Sequence, residues 1–151
     1  MDPTKTRPAA EALTRRIAGN KPFPRVNSLV DAYNLASVKT EIAIAAFDRD
    51  KLNGNLLMRF ALKDEEFLGI GMNESMKLSG GEVIISDAEK LVAIYPYRDA
   101  ETSKVTEGTK NVLILVCGVP GIRLDKMKTT MEVAFNLITR FCGGTAKGFM
   151  R

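Results

Sequence analysis

In the stretch NSLVDAYNLASVKT, Asn27, Asp31, Asn34 and Ser37 recur every three or four residues. On a helix the first three fall within roughly 60° of one another, and Ser37 extends the line one turn further. Short polar side chains are mediocre helix formers, because they compete for backbone hydrogen bonds. A row of them has two uses. It can cap the helix and satisfy nearby loop backbone. It can also line a pocket that reads a polar ligand through carboxamide, carboxylate and hydroxyl groups. Asp31 is the member that could orient water as a weak base, although an ordinary Asp, with a pKa of about 3.9, is poor in that role at neutral pH.

A second polar cluster lies in YPYRDAETSKVTEGTKN, residues 95–111. It carries Tyr95, Tyr97, Arg98, Asp99, Thr102, Thr106, Thr109 and Lys110 between two strand-like runs. A loop of roughly ten residues with an aromatic pair and an Arg-Asp dipeptide is richer than a connector needs. Tyr and Arg can stack on bases, and Lys and Thr can hold phosphates. The plainer reading is a surface loop in which Arg98 and Asp99 neutralise their neighbours.

The 22 basic and 18 acidic residues leave a net charge of +4. All of that excess falls in the first 25 residues, where Lys5, Arg7, Arg15, Arg16, Lys21 and Arg25 face Asp2 and Glu11. A local basic patch suits a polyanion such as nucleic acid, and equally serves as a solvated helix face. The chain has no histidine, which removes imidazole catalysis and most zinc sites, and no clustered carboxylates suggest a metal. No cofactor is expected. Turns such as SGG and GVPGI lack the spacing of a phosphate-binding loop. Cys117 and Cys142 sit in apolar stretches and read as buried free thiols. No run approaches a membrane span, and the N-terminus lacks a signal-type apolar core, so a cytoplasmic location is expected.

The 151 residues suffice for one domain with a real core. Pro8 opens a helix through AAEALTRRIAG that Gly19-Asn20 stops. A second helix follows the connector KPFPR, with Asn27 or Ser28 as its cap and Leu29, Ala32, Tyr33 and Ala36 as its apolar face. EIAIAAFD (41–48) reads as a strand, and NLLMRFAL (55–62) with EFLGIG (66–71) as a hairpin. GGEVIISD (80–87) and KLVAIYPYRD (90–99) read as another pair, turning near Asp87-Ala88-Glu89. NVLILVCG (111–118), apolar on both faces, reads as a central strand. The last helix is placed at 124–142, with Leu124, Met127, Met131, Ala134, Phe135, Ile138 and Cys142 as its buried line. About six strands and three helices that do not alternate regularly predict an α+β fold with mixed β-sheet layers packed with helices.

The segment PRVNSLVDAYNLASVKT with IAIAAFDRDKLNG resembles the start of the fused third and fourth domains, the B-three/B-four tRNA-binding domain, of the phenylalanyl-tRNA synthetase beta chain. KVTEGTKNVLIL is similar to a later block of that domain. The wider pattern from Arg7 to Ile122 resembles stand-alone proteins built on it. The resemblance implies a single α+β domain over 1–151, shorter at its N-terminus than is usual for the family. It implies tRNA as partner, met at the aminoacyl end, and possible hydrolysis of mischarged tRNA in trans. The family's editing histidine matches Ala45 here, and its glutamate falls near Leu115, so that arrangement does not carry over.

Ester hydrolysis does not require histidine, because positioned water and a stabilised oxyanion supply much of the rate. On this reading Asp31 is the catalytic candidate. Asn27, Asn34, Ser37, Arg98, Asp99, Thr106 and Thr109 line the ligand pocket, shared between the helix and the 98–110 segment. Arg7, Arg15, Arg16, Arg25 and Lys110 meet nucleic acid. Two other readings stay open: a binder or enzyme for a small amino-acid-like or nucleotide ligand, and a non-catalytic interaction module. The oligomeric state is not fixed by these residues.

Overall fold

Asn27 shows how local sequence sets the first boundary: its extended backbone and its side-chain oxygen, accepting from Val30 N–H, start a helix over Ser28–Thr40. In a computed structural model of the chain, which describes residues 7–148, this is α2. It follows α1 (Ala9–Ala18), which ends at Gly19 and the left-handed Asn20. Glu41 closes α2 in the left-handed region. The chain then runs through β1 (Ile44–Asp48), β2 (Leu57–Phe60), β3 (Glu66–Phe67), β4 (Met76–Lys77), β5 (Val83–Ser86), β6 (Leu91–Ile94), β7 (Arg98–Asp99) and β8 (Val112–Val116), and ends in α3 (Leu124–Cys142). Short 3-10 turns lie at Arg49–Lys51 and Glu101–Ser103. The fold is α+β.

The chain divides into two compact units. One is built on Ala45–Leu115 and holds nearly all of the strands. Its main sheet has the order β2-β5-β6-β7, antiparallel throughout, and β3 and β4 form a separate ribbon. Ala61, Phe67, Leu78, Ile84, Ile94 and Ala100 form a core cluster, which Leu91 flanks. The other unit, Ala9–Ile44 and Val116 onward, contains the three helices, with α2 packed on both α1 and α3.

Several expectations need correction. β2 pairs with β5 and not with β3, and β3 pairs with β4. The reason lies at the turn. Glu65 turns its carboxylate back to Arg59 (2.7 and 2.9 Å) and to Leu62 N–H, while Asp64 takes a positive φ and donates its N–H to the Leu78 carbonyl. The chain is thereby led away from β2. The strand over 112–116 is not central, because among the described residues its sheet contains only β1 and β8, and all five of its residues are partly exposed.

The buried line of α3 is narrower than drawn. Thr130 and Ala134 are fully buried, while Leu124, Phe135 and Cys142 are exposed. Those three lie roughly 80–100° around the helix from Ala134, at the rim of the stripe. Cys117 is buried as expected; Cys142 is not. Among the described residues, no helix is long and apolar enough to cross a membrane.

Candidate functional site

The predicted site residues fall into both units, the α2 stripe in the helical one and residues 95–111 in the strand-rich one. Along α2, each polar group has a different task. Asn27 is the N-cap. Asp31 accepts from Val26 N–H at 2.9 Å and pairs with Arg25 at 3.1 Å, so it fixes the approach to the helix. Arg25 itself is 85% exposed along its side chain. Ser37 is fully buried, and its hydroxyl has no hydrogen-bond partner among the described residues. It lies among the buried Ala32 and Ala36 rather than at the edge of the apolar face. Asn34 is partly buried. Spacing alone could not separate Ser37 from its stripe-mates, because the buried arc depends on where α1 and α3 lie.

The 95–111 segment is more ordered than a loop. Tyr95-Pro96 is cis, Tyr97 N–H returns to the Ile94 carbonyl, and β7 pairs with β6 through Ala93↔Asp99 and Ile94↔Arg98. Arg98 lies across Gly69 and donates to the Ile70 carbonyl at 3.0 Å. A Cβ at Gly69 would come within 2.3 Å of Arg98 Cδ, so the GIG sequence serves as the seat for this guanidinium.

Asp99 lies next to it, partly buried. Its backbone carbonyl accepts from Ile70 N–H, and burial pushes its carboxyl up to about 7. A carboxyl that titrates near neutrality suits proton transfer, and such groups concentrate at functional sites.

Thr106 and Thr109 do come together, Thr106 N–H donating to Thr109 Oγ1. Thr109 Oγ1 in turn donates to Asp48 Oδ2 at 2.8 Å. Burial would raise the Asp48 carboxyl, but hydrogen bonds from Thr109, Asp50 N–H and Lys51 more than offset it and hold it below the usual carboxylate range. Asn111 adds its amide to the Asp50 carboxylate, and its carbonyl accepts from Arg49 N–H. The FDRD and TKN sequences thus form a latch that joins the end of β1 to the start of β8. Sequence reasoning missed Asp48, although an Asp that ends a fully apolar run and is followed closely by Arg49 and Lys51 signals a buried, paired carboxylate.

The basic candidates are mostly engaged at the surface. Arg15 pairs with Glu11, and Arg16 donates to the Pro22 carbonyl. Arg7 is partly buried, and Lys110 is exposed. Lys5 lies outside the described residues.

This geometry accompanies clear relationships. A family profile described as the B3/4 domain matches residues 1–147. The chain belongs to the B3/4 domain family. It is 34% identical over 92 residues, 60% of its length, to a phenylalanine--tRNA ligase beta subunit from Fusobacterium nucleatum subsp. nucleatum. It is 25% identical across 93% of its length to the corresponding subunit from Idiomarina loihiensis. The matches span 11% and 20% of those relatives. An N-terminal fragment of the phenylalanyl-tRNA synthetase beta subunit from Pyrococcus horikoshii shares the fold, with a TM-score of 0.64 and 22% identity over 78% of this chain and 42% of that one. The domain is therefore related to the synthetase, as the resemblance of DAYNLAS, AAFDRDK and TKNVLIL implied.

Proposed function

We propose that this chain binds tRNA at its aminoacyl end. The observation that carries the proposal is membership of the B3/4 family, whose relatives here are beta subunits of phenylalanine--tRNA ligases. The sequence chemistry agrees with it. Arg98, seated on Gly69, and the exposed Lys110 offer positive charge on the strand-rich unit. Arg15 and Arg16 end α1, and Arg25 lies exposed on the connector after it. Phosphate contacts of this kind set affinity and make it depend on salt.

Titration of tRNA at two or more salt concentrations tests the reading. Affinity should fall steeply with salt, and Arg15→Ala or Arg16→Ala should each reduce the logarithmic slope by about 1 if that residue contacts phosphate. No binding at low salt would contradict it and leave a small polar ligand or a protein partner as the object of the site.

Asp99 favours a second reading, in which binding is followed by hydrolysis of the aminoacyl ester. Its near-neutral carboxyl can take a proton from water at physiological pH. Asp31 is the alternative base. It requires Arg25 to leave for a phosphate, freeing Asp31 Oδ2. A deacylation time course on phenylalanine tRNA charged with tyrosine decides the matter. Loss faster than in buffer, abolished in Asp99→Asn and retained in Asp31→Asn, supports the Asp99 route; the reverse pattern supports Asp31. Decay at the buffer rate means binding alone.

A further inference from the structure

Arg98 is an exposed arginine that the fold holds in one place. Residues 68–70 run antiparallel beside β7 and the residues after it. Ile70 N–H donates to the Asp99 carbonyl, Glu101 N–H donates to the Leu68 carbonyl, and Gly69 faces Ala100. The Arg98 side chain lies flat across Gly69. A Cβ there would come within 2.3 Å of Arg98 Cδ, 2.9 Å of its Cγ and 3.0 Å of Met72 Sδ. The chain then turns, with Met72 N–H donating to the Gly69 carbonyl and Gly71 at a φ of +77°. Into that turn Arg98 Nη1 donates one hydrogen, to the Ile70 carbonyl at 3.0 Å.

The partner of this guanidinium sets it apart. Arg15, Arg25, Arg59 and Arg123 are each paired with a carboxylate. Arg98 is not: its one polar contact among the described residues is the Ile70 carbonyl. Asp99 is adjacent in sequence, but alternation along β7 sends its side chain to the opposite face. Glu101 is taken by Lys104. A neutral carbonyl leaves the positive charge uncompensated. It also leaves Nε, Nη2 and the second hydrogen of Nη1 as a planar fork that matches two oxygens of a phosphate. Because the stem is already immobilised on Gly69, little rotamer freedom remains to be lost on binding. Closing the turn does not require an arginine, since Met72 N–H and the φ of Gly71 already do so.

We infer that Arg98 is a preset fork for a single phosphate group, and that Gly69 is the positioning residue that aims it. That the phosphate belongs to RNA rests on the tRNA reading; the fork itself rests on the geometry of Arg98. Geometry, and not charge alone, then governs binding here. Arg98→Lys keeps the charge and loses the fork. Gly69→Ala keeps every charge and displaces the guanidinium. The atoms its new Cβ meets belong to the Arg98 and Met72 side chains, which can swing aside, so the fold should survive.

The test has two arms. In the first, tRNA affinity is measured at one fixed salt concentration. Arg98→Lys, Arg98→Ala and Gly69→Ala should each weaken binding by about tenfold with unchanged circular dichroism. Gly69→Ala added to Arg98→Ala should cost nothing further, since both act through one contact. In the second arm, the Arg98 Nε–H resonance of the parent protein is followed by NMR, assigned by its loss in Arg98→Lys. It should move saturably with cytidine 5′-monophosphate and stay still with cytidine. That result supports the fork even should tRNA fail to bind, and the phosphate would then come from another ligand. Parental tRNA affinity in both Gly69→Ala and Arg98→Lys, or an Arg98 resonance that ignores the monophosphate, overturns the fork and leaves the tRNA reading standing.

Discussion

Replacing Asp87 with alanine should lower the stability of the protein by about 3 kcal/mol or more, because it strips a buried carboxylate from its donors. The side chain of Asp87 is fully buried. It accepts from the N–H groups of Asn53, Glu89 and Lys90 and pairs with the Lys90 ammonium at 2.8 Å. Burial pushes its carboxyl up, yet these four partners prevail and hold it at about 2, below its ordinary 3.8. The sign follows from proton uptake. The unfolded chain takes up this proton more readily, so the stabilisation is complete above pH 4 or so and is lost as the pH falls through 2. The shift corresponds to about 2 kcal/mol. Urea unfolding at pH 7 and near pH 2 checks both statements. Alanine should cost about 2 kcal/mol more at pH 7 than near pH 2, and Asp87→Asn should fall between, since an amide oxygen keeps part of the acceptor role. Equal losses at both pH values would mean that packing, not charge, is what Asp87 contributes.

Asp99→Asn should have the opposite sign. Burial raises the Asp99 carboxyl to about 7 from 3.8, so the folded protein holds a proton that the unfolded chain has released. Stability therefore declines as the pH rises from about 4 to 7 and levels off above that. Asparagine removes the ionisation. At pH 8 the variant should be more stable than the parent by about 2–4 kcal/mol, and at pH 4 the two should be alike. Thermal melts across this range read the effect directly. A parent protein whose melting temperature does not fall over that interval would place Asp99 in contact with water and remove it as a near-neutral base.

Much of this fold was legible because local chemistry decided it. Of the two caps the sequence offered, Asn27 and Ser28, it is Asn27 that starts α2, its side chain accepting from Val30 N–H. The 80–99 hairpin turns at Asp87, whose carboxylate accepts from the N–H groups of Glu89 and Lys90, two and three residues on, in an Asp-led turn. The α3 boundaries follow the helical spacing and the closing glycines. What escaped was non-local. No feature of NLLMRFAL says that its partner is residues 83–86 rather than 66–71; the choice depends on Glu65 folding back onto Arg59. Apolar residues on both faces of 112–116 suggested burial on both sides, whereas among the described residues that strand pairs only with β1.

The site was legible in the same measure. Residue types picked out Asp99 and Thr109, but their roles differ because of what surrounds them. Thr109 is spent on Asp48, whereas the structure gives the Asp99 carboxylate no comparable donor among the described residues. The resemblance to synthetase domains reached the family correctly because it rested on long segments, and much of their content proves to be the Asp48 latch. Part of what identifies the family is thus architecture, which leaves fewer residues free to define a ligand.

Competition between intact tRNA and the same tRNA trimmed of its 3′-terminal nucleotides, at one fixed moderate salt concentration, probes the proposed recognition of the aminoacyl end. Trimming should weaken binding by about tenfold or more, equivalent to losing roughly 1.4 kcal/mol of end-specific contact. Equal affinity for the two would show that only backbone charge is being read, and would contradict a site built for the aminoacyl end.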